Sequence, residues 1–413
     1  MRGDEYIILD NQLRRIGLLS NRVRAGTPFW GDTIDQSIAE DDSAFAWEDL
    51  KDTFNTINLA ANKKTYDHTI TGITVPSNAP DAQNIVFGNH LLYYDSENQK
   101  YYVMRMMNID QSSKETDQSF SFDAQNLCEW KLTRTIPTVF SSDSVNAETA
   151  FNNLLAKSGW RLEYNSRSIL TLKEEYDGSS SAQSYLQQLA ADYDLDIDCY
   201  VKLNSVGEVV DQIVEVSDHI GSTKRTRLDY RNDLVGVDRK LVDDALVTKL
   251  YVLGNDGATI EDANDGIAFL TDPNANAKYN HDIKGRGSTW LEGTITSETI
   301  KNSSGLLAWG KKQLKMYNHP RYNYTVQIRS DISGGIGDDF RVVDFDLTPA
   351  MIVDARVIKV SKSKSDPSVH ELTLGEYSTV TPKKMSGNVD LTQLKKDVAQ
   401  AHFDAVSASE TAN

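Results

Sequence analysis

Short runs of β-branched and aromatic residues, broken by clusters of Asn, Asp, Gly, Pro and Ser, recur along most of this chain, and that punctuation limits what it can fold into. Within the first 125 residues, TYDHTITGITV, NHLLYYD and KYYVMRMMNID have strand length and strand composition. Strands must pair to satisfy their backbone, so this region predicts an all-β barrel or sandwich. Between 126 and 205 the period changes. SVNAETAFNNLLAKSGWRLEY places Ala147, Phe151, Leu154 and Leu155 on one helical face, with Gly159 positioned as a C-cap before Trp160. SSAQSYLQQLAADYDLDIDCYV gives Tyr185, Leu186, Leu189 and Tyr193 helical spacing and then switches to period two, so this stretch reads as a small α+β domain.

β character returns from 206 to 255 in GEVVDQIVEV, TRLDYRNDL and ALVTKLYVLG. Residues 256–319 loosen into NDGATIEDANDGIAF and TDPNANAKYNHDIKGRGS before the helical SSGLLAWGKKQLKMY, which reads as an insertion rich in loops. YNYTVQIRSDI, DFRVVDFDL, AMIVDARVIKVSKSK and VHELTLGEY then form a second β-rich module. No repeat of about 20 to 50 residues is visible, which excludes solenoids and propellers. In the tail, Leu391, Leu394, Val398, Ala401 and Ala405 alternate in steps of three and four, the pattern of a coiled-coil start or of an amphipathic surface helix.

The glycine cluster GGIGDD, before FRVVDF, invites a phosphate-loop reading. Such a loop needs a helix after it, whose N-terminal amides face the anion. Here Phe340, Val342 and Phe345 follow, a strand pattern, and Asp338 and Asp339 would repel a phosphate. The cluster is expected to be a tight turn in which glycine supplies positive φ.

The chain has 413 residues, long enough for about two to four domains, with 39% hydrophobic and 25% charged residues, a globular balance. Its start, MRGDEYIILDNQLRR, lacks the apolar core of a signal peptide, and no stretch approaches about 18 apolar residues, so folding in the cytosol is expected. Lys and Arg number 43 against 60 Asp and Glu, giving −17, the wrong sign for gripping nucleic acid through its phosphates. An acidic wall can still line a channel through which DNA slides without sticking. Acidity is dense in 31–60, where Asp32, Asp35, Glu40, Asp41, Asp42, Glu48, Asp49 and Asp52 face the single Lys51, a run read as a solvated face.

Tests for chemistry find no catalytic, metal or cofactor residues to name. Asp192, Asp194, Asp196 and Asp198 alternate with Tyr193, Leu195, Ile197 and Cys199. On a strand the carboxylates would share one face about 6.5 to 7 Å apart with the apolar set toward the core, and guarding an exposed edge is the reading favoured over a Ca²⁺ site or a carboxylate pair. EDANDG misses the calcium-loop spacing, because Gly266 is fifth counting from Asp262 where that loop needs it sixth. The seven histidines show no HExxH or close pair, and Cys128 and Cys199, distant in sequence with no CxxC, read as buried structural residues. Ser361 to Lys364 satisfies SxxK, but within a hairpin and without partner motifs. Trp30, Trp47, Trp130, Trp160, Trp290 and Trp309 are spread as core or interface residues.

Taken in order, 147–164 (AETAFNNLLAKSGWRLEY), 225–254 (RTRLDYRNDLVGVDRKLVDDALVTKLYVLG) and 334–376 (GGIGDDFRVVDF through ELTLGE) resemble siphophage tail-tip hub proteins. These are the N-terminal structural module of tail-associated lysins (Tal), within the phage minor structural proteins, and are related to the contractile-tail baseplate hub. The matching scaffold positions are Gly159, Trp160, Tyr230, Leu234, Thr248, Gly254, Gly337, Asp338 and Gly375. The resemblance implies a multidomain α+β fold: two tail-tube-like β-barrel domains, two inserted α+β domains and a C-terminal helix. Its boundaries would be 1–125 completed by 206–236 for the first barrel, 126–205 for the first insertion, 237–255 with 320–380 for the second barrel, 256–319 for the second insertion and 381–413 for linker and helix.

It further implies a homotrimer that adapts a sixfold distal tail protein (Dit) hexamer to a threefold tip, closes the tail channel, and opens for tape-measure protein and phage DNA. Receptor-binding proteins are further expected partners. The place implied is the virion tail tip, after assembly in the host cytoplasm. Longer members continue into peptidoglycan-cleaving or carbohydrate-binding domains, whereas this chain stops at Asn413, so no enzymatic activity and no cofactor are carried over. A cell-wall hydrolase and a host-polysaccharide binding module stand as the alternatives.

Overall fold

The computed structural model describes residues 4–22, 26–38, 57–59, 66–114, 117–224, 226–229, 234–242, 246–254, 257–280, 289–297, 300, 303–328, 334–344 and 351–379. Within them the chain is a mixed α+β protein, mostly sheet with few helices. The helices form where apolar spacing and capping residues coincide. Asn146 accepts the Thr149 amide at 2.9 Å and starts the helix Ala147–Leu155, whose buried face includes Phe151, Leu154 and Leu155. Ser181 caps Ala182–Tyr193 likewise and buries Tyr185, Leu186, Leu189 and Tyr193. Gly159 is not the C-cap: the helix Ala147–Leu155 closes on Ala156, and Gly159 takes φ +78° in the turn before the strand Arg161–Asn165. SSGLLAWGKKQLKMY is the helix Ser303–Tyr317.

The principal sheet has 16 strands among the described residues. Its path runs from Arg161–Asn165 through Val209–Ser217, Asp196–Leu203, Lys100–Lys114, Asp117–Asn126 and Asp67–Pro76 to Thr33–Ser37. There it crosses to the C-terminal strands Met351–Lys362, His370–Thr379, Arg321–Ile328 and Leu234–Val242. The crossing is antiparallel, with Ser37 opposite Lys359 and Ile34 opposite Lys362. Two β-rich modules from opposite ends of the sequence thus share one hydrogen-bonded sheet.

Two smaller sheets complete the described strands. Phe140–Asn146 pairs with Thr171–Tyr176 beneath the helices Ala147–Leu155 and Ala182–Tyr193. A four-stranded sheet is built of Phe269–Thr271, Lys249–Leu253, Glu292–Thr296 and Ile57–Leu59. It takes one strand from the region read as the first barrel and one from the region read as the second, a pairing that local composition does not encode.

GGIGDD is a turn, and the strand Asp339–Asp344 follows it. Gly337 has φ +81°, and a Cβ there would lie 2.1 Å from the Ile220 carbonyl oxygen. Gly221, at φ +89°, would meet the Gly337 carbonyl carbon at 2.4 Å. Two backbones touch here, so both positions need glycine for space as well as for φ. Asp338 holds the contact from both sides, accepting the Ser222 amide at 2.6 Å and the Gly335 amide at 2.9 Å.

The four aspartates do not line one strand face. Asp192 is in a helix, and Asp194 is that helix's C-cap at φ 55°. Asp196 and Asp198 are on the strand Asp196–Leu203 and are buried, as are Ile197 and Cys199. The strand is interior to the sheet with both faces covered, so alternation did not separate an inside from an outside. Asp32 is buried too and is no part of a solvated face. Positions 39–56, which hold the rest of that acidic run from Glu40 to Asp52, and the proposed tail helix at 381–413 lie outside the described residues.

Candidate functional site: a charged seam between the two β modules

Where the modules join, the hairpin formed by Met351–Lys362 and His370–Thr379 inserts its tip into the N-terminal module. Asp32 organises that tip. It accepts Tyr6 Oη at 2.7 Å, Ser363 Oγ at 3.0 Å, and the Lys364 and Ser365 amides at 2.8 and 2.9 Å. Burial alone would raise its pKa, but these hydrogen bonds, led by Ser365, outweigh it and hold the carboxyl below its usual value. Lys362 reaches Asp95 and Glu97, each at 2.8 Å. Burial works against its charge, yet the two carboxylates keep its pKa above normal.

Lys364, two residues on, donates to the Tyr94 carbonyl at 3.2 Å and lies 4.9 Å from the Tyr93 ring centroid. Burial, with Lys362 nearby, brings it down to about 8. Its ammonium is directed to a carbonyl and an aromatic face, so the SxxK spacing here serves the dock and not a nucleophile.

A second cluster centres on Asp198, which accepts Lys100 Nζ at 2.7 Å, Tyr102 Oη at 3.0 Å and Tyr66 Oη at 3.0 Å. Lys100 also reaches Glu215 at 2.6 Å. The rings of Tyr6, Tyr93, Tyr102, His68 and Tyr66 connect the two clusters at centroid separations of 4.6 to 6.5 Å. His68 shares a 2.5 Å hydrogen bond with Tyr93, and burial takes its pKa down to about 4, so it is neutral at pH 7.

A third cluster ties the C-terminal module to the strand Asp196–Leu203. Arg356 Nη2 donates to Asp196 Oδ2 and Nη1 to Oδ1 at 3.3 Å. The same guanidinium reaches the Ile220 carbonyl at 3.2 Å and the Gly337 carbonyl at 3.4 Å. Asp196 also accepts the Ile220 amide at 2.9 Å. This arrangement is bonded within the protein itself, guanidinium and ammonium groups to carboxylates. It fixes the angle between the modules through buried, multiply bonded charges whose loss leaves an uncompensated partner.

Of the scaffold positions read from the sequence, Gly337, Asp338 and Gly375 converge on this third cluster, Gly375 lying opposite Arg356 in the hairpin register. Thr248 and Gly254 lie elsewhere. Thr248 Oγ1 bonds Asn276 at 2.6 Å, and a Cβ on Gly254 would fall 2.4 Å from the Ile300 carbonyl oxygen, so both hold the four-stranded region together. Gly159 and Trp160 are in the first α+β part, where Trp160 is buried. Leu234 opens a strand opposite Ile328, and Tyr230 is outside the described residues. The nine positions therefore do not form one site.

Sequence reasoning missed Asp32, Asp95, Lys100, Lys362 and Arg356. The available signal was the alternation of Lys362 and Lys364 next to an apolar strand, which by default reads as a wet strand end. Cys128 and Cys199 are buried and free, with Asn126 bonding the Cys128 amide at 2.9 Å and the Cys199 carbonyl at 3.0 Å. Among the described residues no group of three or more His, Cys, Asp or Glu could hold a metal ion, and no helix is long and apolar enough to cross a membrane.

Residues 222–380 match the family model described as prophage endopeptidase tail. No curated protein matches. Among solved structures, prophage tail protein gp18 from Listeria monocytogenes aligns with 90% of this chain and 94% of its own at 12% identity and a TM-score of 0.57. The 43 kDa tail protein of prophage MuSo2 from Shewanella oneidensis aligns with 90% and 97% at 9% identity and 0.54. A tail protein from Neisseria meningitidis aligns with 90% and 96% at 12% identity and 0.52. At such identities the structural likeness speaks for fold. The chain is thus similar in fold to phage tail proteins along most of its length, and residues 222–380 carry the prophage endopeptidase tail pattern.

Proposed function

We propose that this chain is a structural phage tail protein that forms the trimeric hub at the distal end of a siphophage tail. Three copies join a sixfold distal tail ring to a threefold tip, close the channel, and open it for tape-measure protein and DNA at infection. The observation that carries the reading is the shared sheet: the pairing of Thr33–Ser37 with Met351–Lys362 fixes two β-rich modules in each copy, so three copies present six to the ring. The domain boundaries of the sequence reading, two barrels with two insertions, are proposed with it. A net charge of −17 suits a channel wall that DNA must not grip. The hub acts without catalysis at the virion tail tip, after assembly in the host cytoplasm, and receptor-binding proteins attach around it.

Light scattering tests this directly. A mass three times the 46.1 kDa of one chain, alone or after addition of the distal tail ring, supports the hub. A chain that stays monomeric and ignores the ring refutes it. One observation favours a wall-cleaving reading, namely that the matching family is described as an endopeptidase tail. Clearing of host cell walls in a zymogram by this chain would establish that reading.

A further inference from the structure

Most cations of the seam have carboxylate partners, but among the described residues Arg105 and Arg134 make no ion pair. The Arg105 guanidinium carbon is 4.9 Å from the Phe87 ring centroid and 4.0 Å from that of Trp130, and Arg134 is 4.4 Å from the same indole. Arg105 Nε is buried without a hydrogen-bond partner, and its Nη1 meets His90 Nε2 at 3.4 Å. Beside them Phe87 is 79% exposed and Val86 46%. Two adjacent guanidiniums and an exposed aromatic ring on a chain of net charge −17 form a patch that repels its own copy across a twofold axis. Its complement must be acidic and partly apolar.

The turn EDANDGI has that chemistry. Glu261, Asp262 and Asp265 are exposed, Ile267 is 45% exposed, and among the described residues none of the three carboxylates makes an ion pair. Asn264 stiffens the turn through the Ile267 carbonyl at 2.8 Å and the Phe269 carbonyl at 3.1 Å. We propose that the Arg105–Trp130–Arg134 patch of one copy receives the acidic turn 261–267 of a second copy, carboxylates against the guanidiniums and Ile267 against Phe87. The contact joins different surfaces, so it is head-to-tail, the kind that closes into a ring of three when each copy is turned by about 120° from the last. It rests on the trimer reading above and names the surfaces that reading lacks.

Sedimentation across a concentration series tests it on the full chain. Arg134→Glu, at an exposed position, and Asp262→Arg should each weaken self-association about tenfold or more, and the chain carrying both should regain most of the wild-type affinity. Phe87→Ser should weaken it without altering its salt dependence, and circular dichroism confirms that each variant is folded. If wild type self-associates and both single changes leave it unaltered, or the double change is merely additive, the patch is overturned while the trimer stands. A wild type that is monomeric at every concentration, with or without the ring, removes both.

Discussion

Replacing Arg356 by Met should destabilise the joint between the modules by about 3–5 kcal/mol, the cost of stripping one partner from a buried pair. In that pair the Arg356 side chain is 8% exposed and that of Asp196 3%, so water cannot replace what is lost. Methionine matches the stem but removes two bonds to Asp196 and those to the Ile220 and Gly337 carbonyls. Asp196 keeps the Ile220 amide, so part of its charge remains bonded. In Asp196→Asn the geometry is kept and the charge removed. The double variant should therefore cost less than the sum of the singles by about 2 kcal/mol or more, the mark of direct coupling. Urea unfolding followed by tryptophan fluorescence gives the midpoints, and hydrogen exchange at the Gly337 and Ile220 amides localises the loss. A cost under about 1 kcal/mol for Arg356→Met, or strict additivity, would refute the claim that this charge pair holds the modules together.

Further predictions concern protons and backbone. His68 and His90 are both brought down to about 4 by burial, so the unfolded chain binds more protons than the folded one between pH 6.5 and 4. Stability should fall as pH drops through that window, by on the order of 3 kcal/mol per histidine, and His68→Gln should flatten the curve; an unchanged melting temperature from pH 7 to 4.5 would contradict this. Glu174 behaves oppositely. Burial, reinforced by Asp192, raises it to about 8, so the folded chain holds a proton that the unfolded chain loses above pH 4.5. Glu174→Gln should stabilise by up to about 3 kcal/mol near pH 8 and by little at pH 4.5, read from paired melts. Gly337→Ala should cost well over the roughly 1 kcal/mol expected for Gly207→Ala, since both have positive φ but only Gly337 faces a backbone at 2.1 Å. Equal costs would show that the loop relaxes freely.

The helices at 147–155, 182–193 and 303–317 could be read from the chain itself, because a 3.6-residue apolar period beside Asn146 or Ser181 is a local signal. The GGIGDD turn was equally legible, since positive φ and a following strand pattern are properties of neighbouring residues. Tertiary structure alone decided the rest. Asp196 and Asp198 look like edge guards until Arg356, Lys100, Tyr66 and Tyr102 arrive from distant segments and make burial tolerable. Likewise, nothing local to Thr33–Ser37 says that it pairs with Met351–Lys362, or that Ile57–Leu59 joins Glu292–Thr296. Periodicity reports how a segment divides its own faces. Which face is covered, and by which charge, depends on partners that only the folded chain brings together.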